Sequence, residues 1–333
     1  MKSNLKKSFC ILVLLIISWA SIGKADIDTN PIKIEEESIK KTQKEYNVSN
    51  LKEFLEALGN DRKIIIENDI HIKEELKNVV TDTSKFFNNS SEKGWFSPKY
   101  ENEFYDIMGT YTSSVDTKES LSKDGFKGFI ENDIVLVIKK AHNLTITTNT
   151  SANIILNQPD DEVIRFDSLV NFKLQNLNIF HRPETDGGCG EFAPVITFYD
   201  SRNIIIDTCG LNGSGTEGIY TKNVNNIAIV KTEVFNCNKR GVSFENSKNV
   251  KVIKSNIHSN HLDADAEYWD GPSIFYIIES DVEVIETKIF SNSSIDEAPF
   301  IDIDDKSKIK FKKCEISQNE NFVITEKQKK EFF

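Results

Sequence analysis

Residues 217–239 read EGIYTKNVNNIAIVKTEVFNCNK, and residues 240–262 read RGVSFENSKNVKVIKSNIHSNHL. Laid one under the other, these two 23-residue stretches set Val242 under Ile219, Val250 under Ile227, Val252 under Ile229 and Ile257 under Val234. The same spacing runs outward in both directions. Leu136, Ile164, Ile196, Ile219, Val242, Ile274 and Ile301 open the units. Eight residues later stand Leu144, Phe172, Ile204, Ile227, Val250, Val282 and Ile309, and two further on Ile146, Leu174, Ile206, Ile229, Val252, Val284 and Phe311. Fifteen residues from the start come Ser151, Ile179, Leu211, Val234, Ile257, Ile289 and Ile316. Of these 28 positions 27 are apolar, in a chain that is 38% hydrophobic, so the register is not accidental.

The steps of two mark strands whose side chains alternate between interior and exterior. Each unit holds three short strands. The offsets of eight and fifteen fix the length of two turns, and all variation falls in the third. Successive units are 28, 32, 23, 23, 32 and 27 residues long, so 23 is the bare coil. Period-two strands repeating at this interval predict a β-solenoid of seven coils over 134–318. Asn143, Asn171, Asn203, Asn226 and Asn249 directly precede the second strand, with Asp281 and Lys308 expected in that place in the last two coils. Asparagine tolerates the left-handed conformation a corner needs, and stacked amides can bond from coil to coil.

These Asn-led apolar steps resemble the right-handed parallel β-helix superfamily, which includes pectate lyases and many uncharacterised exported proteins. The resemblance implies an all-β, right-handed parallel β-helix. In that superfamily substrates bind beside the first strand, so the same side is expected to carry the ligand here. Residues 49–58 read as an amphipathic helix: Leu51, Phe54, Leu55 and Leu58 share a face, Ser49 or Asn50 caps it, and Gly59 ends it. Such a helix resembles the N-terminal cap of these solenoids, which would otherwise expose core and strand edges. Ile64–Ile66 and Ile70–Ile72 read as the first strands.

The rest of the 333-residue chain divides around this block. Lys2, Lys6 and Lys7 precede an apolar run from Phe9 to Ile22, and Ala25 offers a cleavage site, the pattern of a signal peptide over 1–25. A retained anchor is the other reading, but the run is short for a span of about 20 residues. The protein is therefore expected to be exported, to periplasm, cell surface or medium, with membrane contact only through that peptide. Residues 26–45 form a polar leader, and 46–133 hold the cap helix, first strands and an aromatic-rich excursion expected to fold back on the solenoid. Residues 319–333 form a tail. A net charge of −11 with no basic stripe argues against nucleic acid as a partner. Cys189, Cys209, Cys237 and Cys314 remain after export. Cys209 and Cys314 fall on one column four coils apart, roughly 19 Å at about 4.8 Å per strand, too far for a disulfide.

Chemistry is expected on the variable third turns. Long turns at 180–194 and 259–272 flank short ones at 212–217 and 236–240, which predicts a cleft. Its floor would hold Arg165, Thr197, Tyr220, Ser243 and Phe275. The first wall gathers His181 and Arg182, candidate catalytic groups, with three carboxylates, although a solvated loop reads the same way. In the second wall Asp263, Asp265 and Asp270 are candidate ligands for Ca²⁺. Tyr220, Ser243, Glu217, Arg240 and Trp269 are candidate ligand contacts. The leading expectation is a protein that binds a polysaccharide or another extended ligand in this cleft. One alternative is a lyase-like enzyme acting on uronic-acid polymers. The other is a structural or adhesive surface protein without a small-ligand site. A buried, charge-paired carboxylate in the groove would favour the enzyme.

Overall fold

In a computed structural model, residues 42–79, 99–111, 132–157, 162–182, 194–213, 217–262 and 271–332 are described. They form the expected right-handed parallel β-helix. Every coil contributes one strand to each of three sheets, which pair in parallel from coil to coil. The first sheet contains Ile164–Asp167, Ile196–Tyr199, Glu217–Lys222, Arg240–Glu245 and Ser273–Ile278 in spatial order. The second contains Val170–Gln175 through Lys308–Lys312, and the third Asn178–His181 through Glu315–Ser317. The apolar columns face one continuous core. Ile204, Ile227, Ile206 and Ile229 meet directly across the second sheet and are buried.

Three register expectations are corrected. In the first coil Ile154, not Ser151, pairs with Ile179, because the preceding turn is three residues longer there. In the sixth coil Phe275, not Ile274, pairs with Val242 and Ile301, so Tyr276 rather than Phe275 points outward beside Ser243. The stretch Ser273–Ile278 is apolar at five consecutive places, and both Ile274 and Phe275 are buried, so alternation could not choose between them. Finally, Asp281 does not occupy the asparagine corner. It takes the backbone place of Lys248 and pairs with Lys308, and the corner residue is deleted in these two coils.

The asparagine ladder itself is present. Asn143, Asn171, Asn203, Asn226 and Asn249 have φ between 51° and 61°. Asn249 donates to Asn226, Asn226 to Asn203 and Asn203 to Asn171, at 2.6, 2.9 and 2.8 Å. Inside the corners run ladders of small polar side chains. In one, Ser255 Oγ donates to its own coil's Ile253 carbonyl at 3.1 Å and accepts the Thr232 N–H at 3.1 Å, while the Ser255 N–H reaches Thr287 Oγ1 at 3.3 Å. Cys209 and Cys314 sit at the two ends of this column as free thiols. Burial pushes the Cys209 thiol up to about 12, so it stays neutral. Another column links Cys237, Asn260, Asn292 and Asn319, with Asn260 Nδ2 donating to Asn292 at 2.8 Å and Asn292 Nδ2 to Asn319 at 2.8 Å.

The cap helix spans Leu51–Ala57 and buries Leu51, Phe54 and Leu55; Asn50 caps it by accepting the Glu53 N–H at 3.0 Å. Leu58 closes it in an extended conformation. Lys44–Val48, which overlaps the end of the predicted leader, is a further strand at the edge of the second sheet. Residues 72–79 form a second helix. Within the aromatic-rich excursion, Lys99–Glu101 and Tyr105–Tyr111 extend the first sheet through antiparallel pairing with Asn132–Lys139. They therefore lie on a different sheet from Ala228, Val230 and Ile253, whose outward apolar stripe on the second sheet is buried. The predicted tail holds a strand, Glu320–Val323, and a helix, Glu326–Phe332.

The ladder makes a testable demand on Asn226. Asn226→Ala removes two amide bonds and keeps a Cβ at φ 61°. It should lower stability by about 1–3 kcal/mol in chemical denaturation, whereas Asn226→Gly, free of that steric cost, should lose less. Equal losses would mean that backbone strain plays no part at this corner.

Candidate functional site

The outer surface of the first sheet carries two rows of side chains in strict register. One runs Val137, Arg165, Thr197, Tyr220, Ser243, Tyr276, Asp302. The next runs Lys139, Asp167, Tyr199, Lys222, Glu245, Ile278. Beside the first row, at the strand starts, Glu217, Arg240 and Ser273 align. Thr197, Ser243 and Ser273 are fully buried and Tyr220 and Tyr276 nearly so, which makes the floor of the predicted cleft a closed polar layer. Tyr199, Glu245 and the more exposed Lys222 border it, with Lys222 Nζ 3.2 Å from Glu245.

Two ion pairs are set into this layer. Glu162 holds Arg165 through both oxygens, at 2.7 and 2.9 Å, and the guanidinium lies 5.3 Å from the Tyr199 ring centre. Glu217 and Arg240, on adjacent coils, meet at 3.2 Å with side chains 1% and 5% exposed. Arg240 lies flat against Tyr276, 3.5 Å from the ring centre. Bringing these charges together needs a close approach between strands. A Cβ on Gly218 would come within 2.3 Å of Val234 Cγ1, and one on Gly241 within 3.2 Å of Ile257 Cγ2. A side chain at 218 would clash and one at 241 would be tight, so glycine suits both places where the third turn is at its bare length, and the Glu217 and Arg240 strand starts lie close over the third strand.

Burial moves the titrations here. Desolvation raises the Glu217 carboxyl, and Arg240 opposes that rise. The Ser243 hydroxyl also opposes it, although it makes no hydrogen bond of normal geometry. Tyr199 is pushed up to about 12, by burial first and then by Glu162. Tyr220 is raised as well, by burial and by its hydrogen bond to Glu245. A buried carboxyl held above its usual range beside a permanent cation is equipped to carry a proton to or from a ligand.

The candidates from the sequence part company here. Tyr220, Ser243, Glu217 and Arg240 come together on one surface. His181 does not join them: it ends a third-sheet strand, is buried, and its Nδ1 lies 3.3 Å from the Gly213 carbonyl oxygen. Arg182 is exposed, with its guanidinium 5.8 Å from the Phe180 ring. Trp269, Asp263, Asp265 and Asp270 lie outside the described residues. Among the described residues no three His, Cys, Asp or Glu side chains gather as a metal site. Glu162, Ser273 and Tyr276 escaped the sequence reading. Aligning Ile274 with Gly218 and Gly241, instead of with Val242, would have placed the last two.

The model of the right-handed β-helix region matches residues 191–331. No curated protein matches this chain. Among solved structures, it is similar to a pectate lyase variant of Bacillus subtilis, with 13% identity, 84% of this chain and 82% of that one covered, and a TM-score of 0.41. Pectate lyase pelN from Paenibacillus sp. 0602 gives 10% identity, 83% and 78% coverage, and a TM-score of 0.40. PfbA, a surface adhesin of Streptococcus pneumoniae, gives 15% identity over 56% of this chain, which spans 63% of the adhesin, with a TM-score of 0.29.

The pH dependence of stability follows from Glu217. Its folded pKa is raised above the ordinary 4.5, so the folded state holds the proton more tightly than the unfolded state does. The stability this supplies is complete below the unfolded value and is lost as pH rises through the folded one. Glu217→Gln removes that titration. Thermal melts from about pH 4 to 8 should show a shallower decline for the variant than for the parent. Parallel curves would place the Glu217 pKa at its ordinary value.

Proposed function

We propose that this protein is an exported β-helix that binds a glycan along the outer surface of its first sheet. One observation carries the reading: two ion pairs, of which Glu217–Arg240 is fully buried, are set between rows of tyrosine and hydroxyl side chains on this surface, with Lys222–Glu245 at its border. Burying charge costs several kcal/mol per ion before pairing returns part of it, and a solenoid needs no charge there for stability. Tyrosine offers a sugar an apolar ring and a polar tip. Arg165, Tyr199, Lys222 and Glu245 supply the accessible border on which an extended chain can lie.

A second reading, polysaccharide cleavage, is favoured by Glu217, a buried carboxyl paired with Arg240 and raised by desolvation. In that reading Glu217 exchanges the proton while Arg240 steadies negative charge on the sugar.

A glycan array and a turnover screen of the mature protein, with and without Ca²⁺, test both. Binding to at least one extended glycan is expected, with Tyr199→Ala weakening it by up to about tenfold. Product formation abolished by Glu217→Gln would establish the second reading. If no glycan binds, the outer surface is not a sugar site and a structural or adhesive role takes its place.

A further inference from the structure

Thr197 Oγ1, Glu217 Oε2, Ser243 Oγ and Ser273 Oγ are among the buried polar atoms of this layer that have no hydrogen-bond partner among the described residues. All four residues are fully buried; Thr197 and Ser243 flank Tyr220, and Glu217 and Ser273 flank Arg240, across four successive strands. A parallel sheet spaces its strands by about 4.8 Å, so the four reach across about 14 Å, the length of two to three sugar rings along an extended chain. A buried polar group left unpaired costs about 1–3 kcal/mol, and folded proteins hold few of them. Four in one cluster mark a place completed by something else.

The chemistry of that place is specific. Arg240 is already engaged by Glu217 on one side and by the Tyr276 ring on another. With both groups charged, the pair sums to zero. What the cluster offers is one carboxylate oxygen, which only accepts, and three hydroxyls, which donate or accept. An incoming carboxylate would face the Glu217 oxygen. Incoming hydroxyls spaced along an extended chain would donate to it and accept from the serines and threonine. We infer that Thr197, Glu217, Ser243 and Ser273 form a recognition row for neutral sugar hydroxyls, one that disfavours uronate carboxylates. This rests on the glycan-binding reading and names the class of glycan. Tyr220 and Tyr276, 6% and 7% exposed, stand in the same row as Thr197 and Ser243, and a sugar hydroxyl entering here requires one of these rings to move aside while the rest of the sugar stays on the border.

The test compares neutral and uronate oligosaccharides by calorimetry on the full chain, with melting temperatures measured in parallel. The parent should prefer the neutral series by about tenfold or more. Thr197→Val and Ser273→Ala remove hydroxyls the fold does not use. Each should weaken neutral binding several-fold while leaving the melting temperature unchanged or higher. Glu217→Gln leaves Arg240 without a counter-charge, so its preference should move toward uronates. A parent that prefers uronates leaves glycan binding standing and overturns this inference. Hydroxyl variants that melt earlier yet bind normally overturn it as well, by making those groups structural and served by water. If neither series binds, both readings fall. Should Glu217→Gln not fold, the two hydroxyl variants still decide.

Discussion

Each coil must turn three times, and every turn buries peptide groups that neither sheet neighbour can satisfy. That requirement governs the rest of the molecule. The chain meets it with left-handed residues followed by a small polar side chain that bonds to the neighbouring coil and, where it is a hydroxyl, within its own coil as well. Thr232, Ser255 and Thr287 do this after the second strand, Ser201, Ser247 and Ser280 after the first, and Asn260 and Asn292 after the third. A buried donor without a partner costs as much as a lost hydrogen bond, and these columns repeat that cost or its relief once per coil. They hold successive coils in register, and the apolar columns stack because the corners do. Cysteine stands in for the hydroxyl or amide at Cys209, Cys237 and Cys314, where the ladders begin or end.

The outer surface of the first sheet departs from this economy. The corner columns satisfy their polar atoms. Thr197, Ser243 and Ser273 do not, although they are equally buried. Glu217 and Arg240 form a charged pair where two coils with the shortest third turns lie side by side. Glycine at 218 and 241 is the local cause, since a side chain at 218 would strike Val234 and one at 241 would crowd Ile257. Turn length, a property of the repeat, thus decides where charge enters the wall. A locally unfavourable layer in an otherwise satisfied fold is where function is to be sought.

Much of this was legible in advance. Period-two apolar steps repeated at a constant offset admit few structures, and each further coil repeats the constraint, so strand order and core face followed. Asparagine before the second strand announced its conformation, because asparagine tolerates φ near +55° better than most side chains. The four described ligand candidates were found together because Tyr220 and Ser243, and likewise Glu217 and Arg240, are 23 residues apart, one bare coil. Register failed where the pattern lost contrast. In Ser273–Ile278 apolar residues occupy both faces, and a one-residue shift exchanged Phe275 for Tyr276.

The sequence by itself determined the solenoid, its three sheets, the interior columns and the asparagine corners, because each is written once per coil and the repeats corroborate one another. Only the tertiary structure decided what is singular. It showed that His181 bonds to a backbone carbonyl, that the excursion widens the first sheet, and that Glu162 grips Arg165. It also decided that Glu217 is sealed from water beside Arg240 and Tyr276. Burial and pairing depend on what neighbouring coils place around a side chain, and a residue that occurs once leaves no period from which to read them.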